Sequence, residues 1–232
     1  MKYLEINFKI IFKKDIYVKD IMESLSTGIN TCLLNDENMK KLHYNEKFKP
    51  YSFSFPDESI EDNIYKKYTP YTIRFRAVEE LFEFIFVCLQ ERNNPIFYIT
   101  DASRYKEVNQ KNINLSKLVS LTPVVITTNS RCMTLDKMDL SIVKKQIQVN
   151  TIKKYNQFTN NDVSLDVDFI EDIQCLNKKA ISYHYKNGFI IGNKYLLQIK
   201  DDELSQKLGF TMLYSGIGEK NSLGLGFCYM KK

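Results

Sequence analysis

The stretch KYLEINFKIIF, from Lys2 to Phe12, alternates apolar and mostly polar side chains. Its apolar positions Leu4, Ile6, Phe8 and Ile10 are two residues apart, so in an extended chain they face the same side. A period of two residues is typical of a β-strand with one buried face. The stretch therefore predicts a half-buried first strand, and the segments that follow it decide the fold.

The pattern then changes between helix and strand up to residue 108. Residues 18–33 and 78–90 carry apolar side chains at helical spacing, and acidic residues stand near the start of the second segment. Extended patterns predict strands at residues 48–55, 71–76 and 96–100, the last with a continuation at 105–108. The order strand, helix, strand, strand, helix, strand is that of a ferredoxin-like domain, a four-stranded antiparallel sheet with two helices on one face.

The second half repeats this plan less clearly, after a polar stretch at residues 110–120 that predicts a domain boundary. Helices are predicted at residues 140–158 and 201–214. Strands are predicted at residues 123–128, 163–172, 180–185, 189–191, 195–199 and 225–230, with a turn at Asn187-Gly188. We therefore expect an α+β protein with two tandem ferredoxin-like (RRM-like) βαββαβ domains, residues 1–115 and 116–232.

The composition is that of an ordinary globular protein, with 44% hydrophobic and 26% charged residues. A net charge of +5 permits a nucleic-acid partner without requiring one. The longest nearly uncharged apolar run, residues 84–90, is too short to span a membrane, and no secretion leader is recognisable. The five scattered cysteines form no zinc or disulfide pattern, and no carboxylate cluster offers a metal site. We expect a protein of the reducing cytoplasm that uses neither metal nor cofactor.

Four of the eight glycines lie between residues 216 and 226, with the spacing G-x-G-x-x-x-x-x-G-x-G. This is neither the Walker pattern nor the dinucleotide pattern, and it predicts left-handed backbone angles or the close approach of another chain segment. The cluster also contains Lys220, Asn221 and Ser222. Backbone N–H groups, one cation and two small polar side chains suit a phosphate backbone. A glycine-rich hairpin without a ligand is the alternative.

Two segments carry a family resemblance. GIGEKNSLGLGF, residues 216–227, strongly resembles the C-terminal signature of the CRISPR-associated endoribonucleases of the RAMP superfamily. LHYNEKFKPYSFS, residues 42–54, is similar to the N-terminal segment of that family. The resemblance implies tandem ferredoxin-like domains and metal-independent cleavage of precursor CRISPR RNA within its repeats. Attack by a ribose 2′-OH would leave a 2′,3′-cyclic phosphate and a 5′-OH. The implied partner is repeat RNA, with effector-complex subunits or a second copy of the chain as further candidates.

The chain has only two histidines, His43 and His184. RNA cleavage of this kind needs a proton acceptor, a proton donor and positive charge beside the phosphorane oxygens, and histidine titrates near neutrality. The resemblance implies that His43 is the catalytic histidine and that Lys49 supplies the charge, with Lys47 as the alternative lysine. His184 alternates with aromatic residues on a predicted strand, where we expect either a cross-strand surface residue or an RNA contact.

A third catalytic residue is not identified by the resemblance. Some members of the family use a tyrosine from the first helix, whereas residues 24–30 here contain none. Ser26, Tyr44 or no residue at all fills this role, so the assignment of acid and base stays open. The missing tyrosine favours the alternative function, a non-catalytic RAMP subunit that holds CRISPR RNA in an effector complex. A third alternative is a ferredoxin-like module that binds only protein.

The RNA-binding candidates lie mainly in the glycine-rich segment. The resemblance implies that RNA is held there by Gly216, Gly218, Lys220, Asn221, Ser222, Gly224 and Gly226. Further basic residues are weaker candidates, because a group of charges is usually only a solvated face: Lys144, Lys145, Lys153, Lys154, Arg74, Arg76 and Arg104.

Overall fold

The computed structural model describes residues 1–34, 36–45, 47–58, 60–90, 94–128, 131–132 and 139–231. The fold is α+β and consists of two tandem ferredoxin-like units, as the sequence predicts, each with its own antiparallel sheet and buried core. In this part of the chain, no helix combines the length and the apolar character needed to cross a bilayer. The division at residues 115 and 116 stays a prediction.

The first unit runs through eleven elements. In chain order they are β1 (Lys2–Phe12), β2 (Ile16–Tyr17), a 3-10 turn (Val18–Asp20), α1 (Ile21–Leu34), α2 (Glu37–Tyr44), β3 (Tyr51–Phe53), β4 (Ile64–Tyr65), β5 (Pro70–Ala77), α3 (Glu79–Gln90), β6 (Phe97–Ala102) and β7 (Lys106–Asn109). The sheet order is β3-β5-β1-β6, and β7 pairs with the first residues of β1. Leu4, Ile6, Phe8 and Ile10 are buried, which confirms the predicted core face of β1.

The second unit contains β8 (Lys117–Ser120), β9 (Thr127–Thr128), β10 (Arg131–Cys132), α4 (Leu140–Thr159), β11 (Ile170–Cys175), β12 (Ile181–Tyr185), β13 (Gly188–Gly192), β14 (Tyr195–Ile199), α5 (Glu203–Ser215) and β15 (Cys228–Lys231). Its main sheet has the order β11-β14-β8-β15. β12 and β13 form a separate hairpin, whose Tyr183 and Ile190 join the core of the first unit.

Three strand predictions are wrong in extent. The strand predicted at residues 48–55 is only β3, which begins after Pro50, a residue with no N–H to donate to a sheet. The polar stretch predicted as a domain boundary, residues 110–120, contains β8, an inner strand of the second sheet. The strand predicted at residues 123–128 is reduced to two isolated bridges and β9. The strand predicted at 163–172 begins only at Ile170, since the preceding alternation belongs to a polar turn. Between β3 and β5, where no strand is predicted, β4 pairs with β2.

Arg76 on β5 connects the two units. Only 5% of this residue is exposed, and its Nη1 donates to the carbonyl oxygens of Leu213 at 2.8 Å and Cys228 at 2.6 Å. Its Nε donates to Glu5, and its guanidinium lies 4.3 Å from the ring centre of Phe227. Arg76 therefore has its partners inside the protein, and it is wrong as an RNA-binding candidate.

Arg76→Met should lower the free energy of unfolding by about 3–5 kcal/mol, because two buried carbonyls and a carboxylate lose their cationic partner. Arg74→Met is the matched control, two residues away on the same strand, where Arg74 pairs with the partly exposed Asp57. Loss of that pair should cost about 0–1 kcal/mol. Urea-induced unfolding of both variants measures the difference, and equal losses would contradict the role of Arg76.

Candidate active site

His43 lies in the last turn of α2. This helix starts where the Asp36 carboxylate accepts from the N–H groups of Asn38 and Met39, at 2.9 and 3.0 Å. Such capping stabilises a short helix next to a polar loop. The His43 ring is half-buried, and burial first, then the charge of Lys49, lowers its pKa below the ordinary value. The neutral imidazole is therefore favoured, and the sequence motif indeed brings His43 and Lys49 together.

The ammonium of Lys49 closes the loop that follows α2. It donates to the carbonyl oxygen of Asn45 at 2.6 Å, to the side-chain oxygen of Asn45 at 2.8 Å and to the carbonyl oxygen of Lys47 at 2.8 Å. These contacts use all three N–H groups of a lysine. Burial lowers the pKa of Lys49. Lys49 therefore shapes the loop as well as carrying charge, whereas Lys47 is exposed.

A cleft of about 390 Å³ lies between this loop and the glycine-rich segment. One wall is formed by Asn45, Lys47, Phe48 and Lys49, the other by Glu219, Lys220, Asn221 and Ser222, and Asn150 of α4 also lines it. The lining of the cleft carries three lysines and one glutamate, so the cleft is positively charged overall. Such a cleft attracts a phosphate backbone, and Lys49 connects it electrostatically to His43.

The glycine-rich segment folds around a buried lysine. Lys154 of α4 is 1% exposed, and its ammonium donates to the carbonyl oxygens of Gly216 at 2.8 Å and Gly218 at 2.7 Å and to the side-chain oxygen of Asn221. The Asn221 amide in turn donates to the carbonyls of Ile217 and Leu225, at 3.1 and 2.9 Å. The prediction that Lys154 is a surface residue available to RNA is therefore wrong. Its place on the stripe of Val143, Ile147 and Thr151 is a signal that could have revealed it.

All four glycines of this segment have left-handed φ angles, between +68° and +82°, as the clustering predicts. They are buried, and so is Asn221 at the edge of the cleft, so five of the seven predicted RNA-binding residues have little exposed surface. An added Cβ at Gly224 would lie 2.5 Å from the ring of Phe53, which shows how closely the first unit packs against the loop. Lys220 and Ser222 remain accessible to a ligand in the cleft.

Comparisons with known proteins identify the family of this chain. The sequence model described as CRISPR associated protein Cas6, C-terminal, matches residues 105–230, more than half of the chain. The chain belongs to the Cas6 family. A curated relative, CRISPR-associated endoribonuclease Cas6 2 of Methanocaldococcus jannaschii, is 25% identical over 242 residues, which cover 93% of this chain and 94% of the relative.

Solved structures share the fold. A structure described as CRISPR associated protein Cas6 has a TM-score of 0.69 at 20% identity and covers 99% of this chain and 100% of its own. A RAMP protein binding different RNA substrates has a TM-score of 0.72 at 14% identity, with the same coverage. A Cas6 product complex has a TM-score of 0.70 at 14% identity and covers 99% of both chains. The tandem ferredoxin-like fold is thus common to these proteins.

The two candidates for a third catalytic role in this Cas6 protein lie in different surroundings. Ser26 of α1 is buried, and its hydroxyl donates to the carbonyl of Glu23 at 3.1 Å, so it is wrong as a residue that meets RNA. Tyr44 is 71% exposed, and its ring meets the His43 ring edge-on with 5.1 Å between centres. Of the two, only Tyr44 is accessible beside the imidazole.

The second histidine has a structural partner. The Nδ1 atom of His184 lies 2.6 Å from a carboxylate oxygen of Asp20, so the β12–β13 hairpin contacts the 3-10 turn of the first unit. Sequence reasoning did not find this pair. Within the part of the chain that the structure describes, no group of three His, Cys, Asp or Glu side chains is arranged to hold a metal ion.

The remaining basic candidates are surface residues, and two of them form ion pairs. Lys144 and Lys145 pair with Asp168 and Asp166, at 3.0 and 3.1 Å. Lys153 and Arg104 are exposed. These positions do not line the cleft formed by the loop after α2 and the glycine-rich segment.

Gly226→Ala should destabilise the protein by at least about 2 kcal/mol, because alanine is strained at a left-handed φ of +72°. Its Cβ would also lie 1.9 Å from the carbonyl oxygen of Ile217. Gly188→Ala is the control, since its Cβ would meet no heavy atom within 4 Å. That change should stay within about 1 kcal/mol. Thermal unfolding measures both, and similar melting temperatures would contradict the described packing.

Proposed function

We propose that this protein is an endoribonuclease that cleaves precursor CRISPR RNA within its repeats, without a metal ion, by attack of a ribose 2′-OH. The observation that carries the proposal is the half-buried His43, whose pKa is lowered by the charge of Lys49. Lys49 in turn lines the positively charged cleft. Membership of the Cas6 family and a relative named as an endoribonuclease support the same reaction.

His43 acts as the proton acceptor in this proposal. Because burial and the Lys49 charge lower its pKa, the ring is neutral at neutral pH and free to accept the 2′-OH proton. The 2′-oxygen then attacks phosphorus, the 5′-oxygen leaves and takes up a proton, and a 2′,3′-cyclic phosphate and a 5′-OH result. The exposed Tyr44 is the candidate closest to His43 for delivering that proton.

The phosphate is held by the lysines of the cleft. Lys47 and Lys220 stand on opposite walls, and Ser222 lines the same wall as Lys220. The Lys49 ammonium acts on the phosphate through its charge, since its three N–H groups are bonded within the loop. It can donate to a phosphate oxygen only by giving up one of these hydrogen bonds. Phe48 also lines the cleft, and its aromatic side chain is the candidate for stacking against a base.

A non-catalytic RNA-holding subunit is the second candidate function. It is favoured by two observations: the three internal hydrogen bonds of Lys49, and the absence of a tyrosine among residues 24–30. Such a protein binds repeat RNA with a salt-dependent affinity but yields no cyclic phosphate. Effector subunits or a second copy of the chain are the partners proposed for it.

The reaction is tested with labelled repeat RNA in EDTA, beside the same RNA carrying one 2′-deoxyribose at the cleavage position. We expect cleavage of the first substrate only, because the second lacks the nucleophile, and products ending in a 2′,3′-cyclic phosphate. Cleavage of both substrates, or a strict requirement for a divalent ion, would contradict the mechanism. Binding of both without cleavage would favour the RNA-holding subunit.

His43→Ala should lower the single-turnover cleavage rate by about 10²- to 10⁴-fold, the usual contribution of a general acid or base. His184→Asn is the matched control, since it removes the other histidine, whose partner is Asp20. Its cleavage rate should stay near that of the wild type. An unchanged rate for His43→Ala would eliminate His43 as the catalytic base.

A further inference from the structure

Gln157 of α4 binds both main-chain polar groups of Phe48. Its side-chain oxygen accepts from the Phe48 N–H at 2.9 Å, and its side-chain nitrogen donates to the Phe48 carbonyl at 2.8 Å. Phe48 lies between Lys47 and Lys49, ahead of the first residue of β3. This pair of hydrogen bonds therefore gives the loop a fixed partner where the sheet does not yet provide one.

The opposite wall of the cleft is held by the same helix. Lys154 stands three residues before Gln157, so the two side chains leave neighbouring positions on one side of α4. Lys154 binds the carbonyls of Gly216 and Gly218, and its ammonium lies 5.8 Å from the ring centre of Phe48. One turn earlier, Asn150 lines the cleft itself. A single rigid helix thus contacts both walls.

We propose that Gln157 is a positioning residue for RNA cleavage, which rests on the proposed endoribonuclease function. By holding the Phe48 main chain against α4, it keeps Lys47 and Lys49 at a fixed separation from His43 and from the glycine-rich wall that Lys154 holds. Gln157 itself is exposed and contributes little to a buried core. Its hydrogen bonds to Phe48 therefore act mainly by positioning the loop.

Gln157→Met removes both hydrogen bonds and keeps the length of the side chain. We expect the single-turnover cleavage rate at saturating protein to fall about tenfold or more, since small misplacements of catalytic groups are costly. RNA affinity should change little, because Lys47 and Lys220 remain on the cleft walls.

Asn156→Leu is the matched control. The neighbouring Asn156 makes the same two-sided contact with the main chain of Val163, at 3.0 and 2.9 Å, away from the cleft. Its loss should lower stability at least as much as Gln157→Met does and leave cleavage near the wild-type rate. Equal losses of cleavage in the two variants would reduce Gln157 to a stability role and overturn the proposal.

A second readout does not depend on cleavage. Lys49 is the charged group that lowers the pKa of His43, and the Tyr44 ring touches the imidazole. If Gln157 holds Lys49 in place, Gln157→Met should raise the midpoint of the His43 titration followed by NMR. In a Lys49→Met background the same change should add less, because the charge is already absent. The His184 signal serves as the internal reference.

These experiments distinguish failure of the positioning role of Gln157 from failure of the endoribonuclease function. A wild-type protein that cleaves repeat RNA, together with a Gln157→Met variant of equal rate and equal His43 midpoint, would overturn the positioning role alone. A wild-type protein that binds repeat RNA without cleaving it would overturn the endoribonuclease, and the positioning role with it.

Discussion

A buried ammonium group organises the part of this protein on which the candidate site depends. Lys154 meets three oxygen acceptors, and only the charged form of lysine can donate to all three. Burial opposes that charge and lowers the pKa of Lys154 to about 7, so the hydrogen bonds must offset a large loss of hydration. The left-handed φ angles of Gly216 and Gly218 let the backbone turn their carbonyls toward the cation. Gly224 and Gly226 instead allow close packing against Phe53 and the Ile217 carbonyl.

Arg76 repeats the same physical solution between the two units. Its guanidinium also meets main-chain carbonyls, those of Leu213 and Cys228, and it also lies against an aromatic ring. Near it, the hydroxyl of the buried Ser52 donates to the carbonyl of Tyr214 at 2.8 Å. The two units are therefore joined by directional bonds as well as by apolar packing, and such bonds fix orientation more strictly than apolar contact does.

Regular patterns in the sequence were sufficient for most of the fold. The two-residue period of β1 and the long apolar stripe of α4 predicted both elements closely, because each buries one face along its whole length. β8 escaped prediction since it is only four residues long and lies in a polar stretch. The motifs indicated His43 and Lys49, but the roles of Lys154 and Gln157 depend on contacts between distant segments. No local pattern encodes which carbonyl a long side chain will reach.

The packing at Gly226 changes how the family signature should be interpreted. Because an atom added there would overlap the Ile217 carbonyl, the fold itself requires glycine at this position, before any ligand is considered. The signature then reports the architecture of the loop, and a chain can carry it without the chemistry proposed for His43. Genome surveys that count such signatures therefore count folded members of the family, and their estimate of active nucleases is an upper limit.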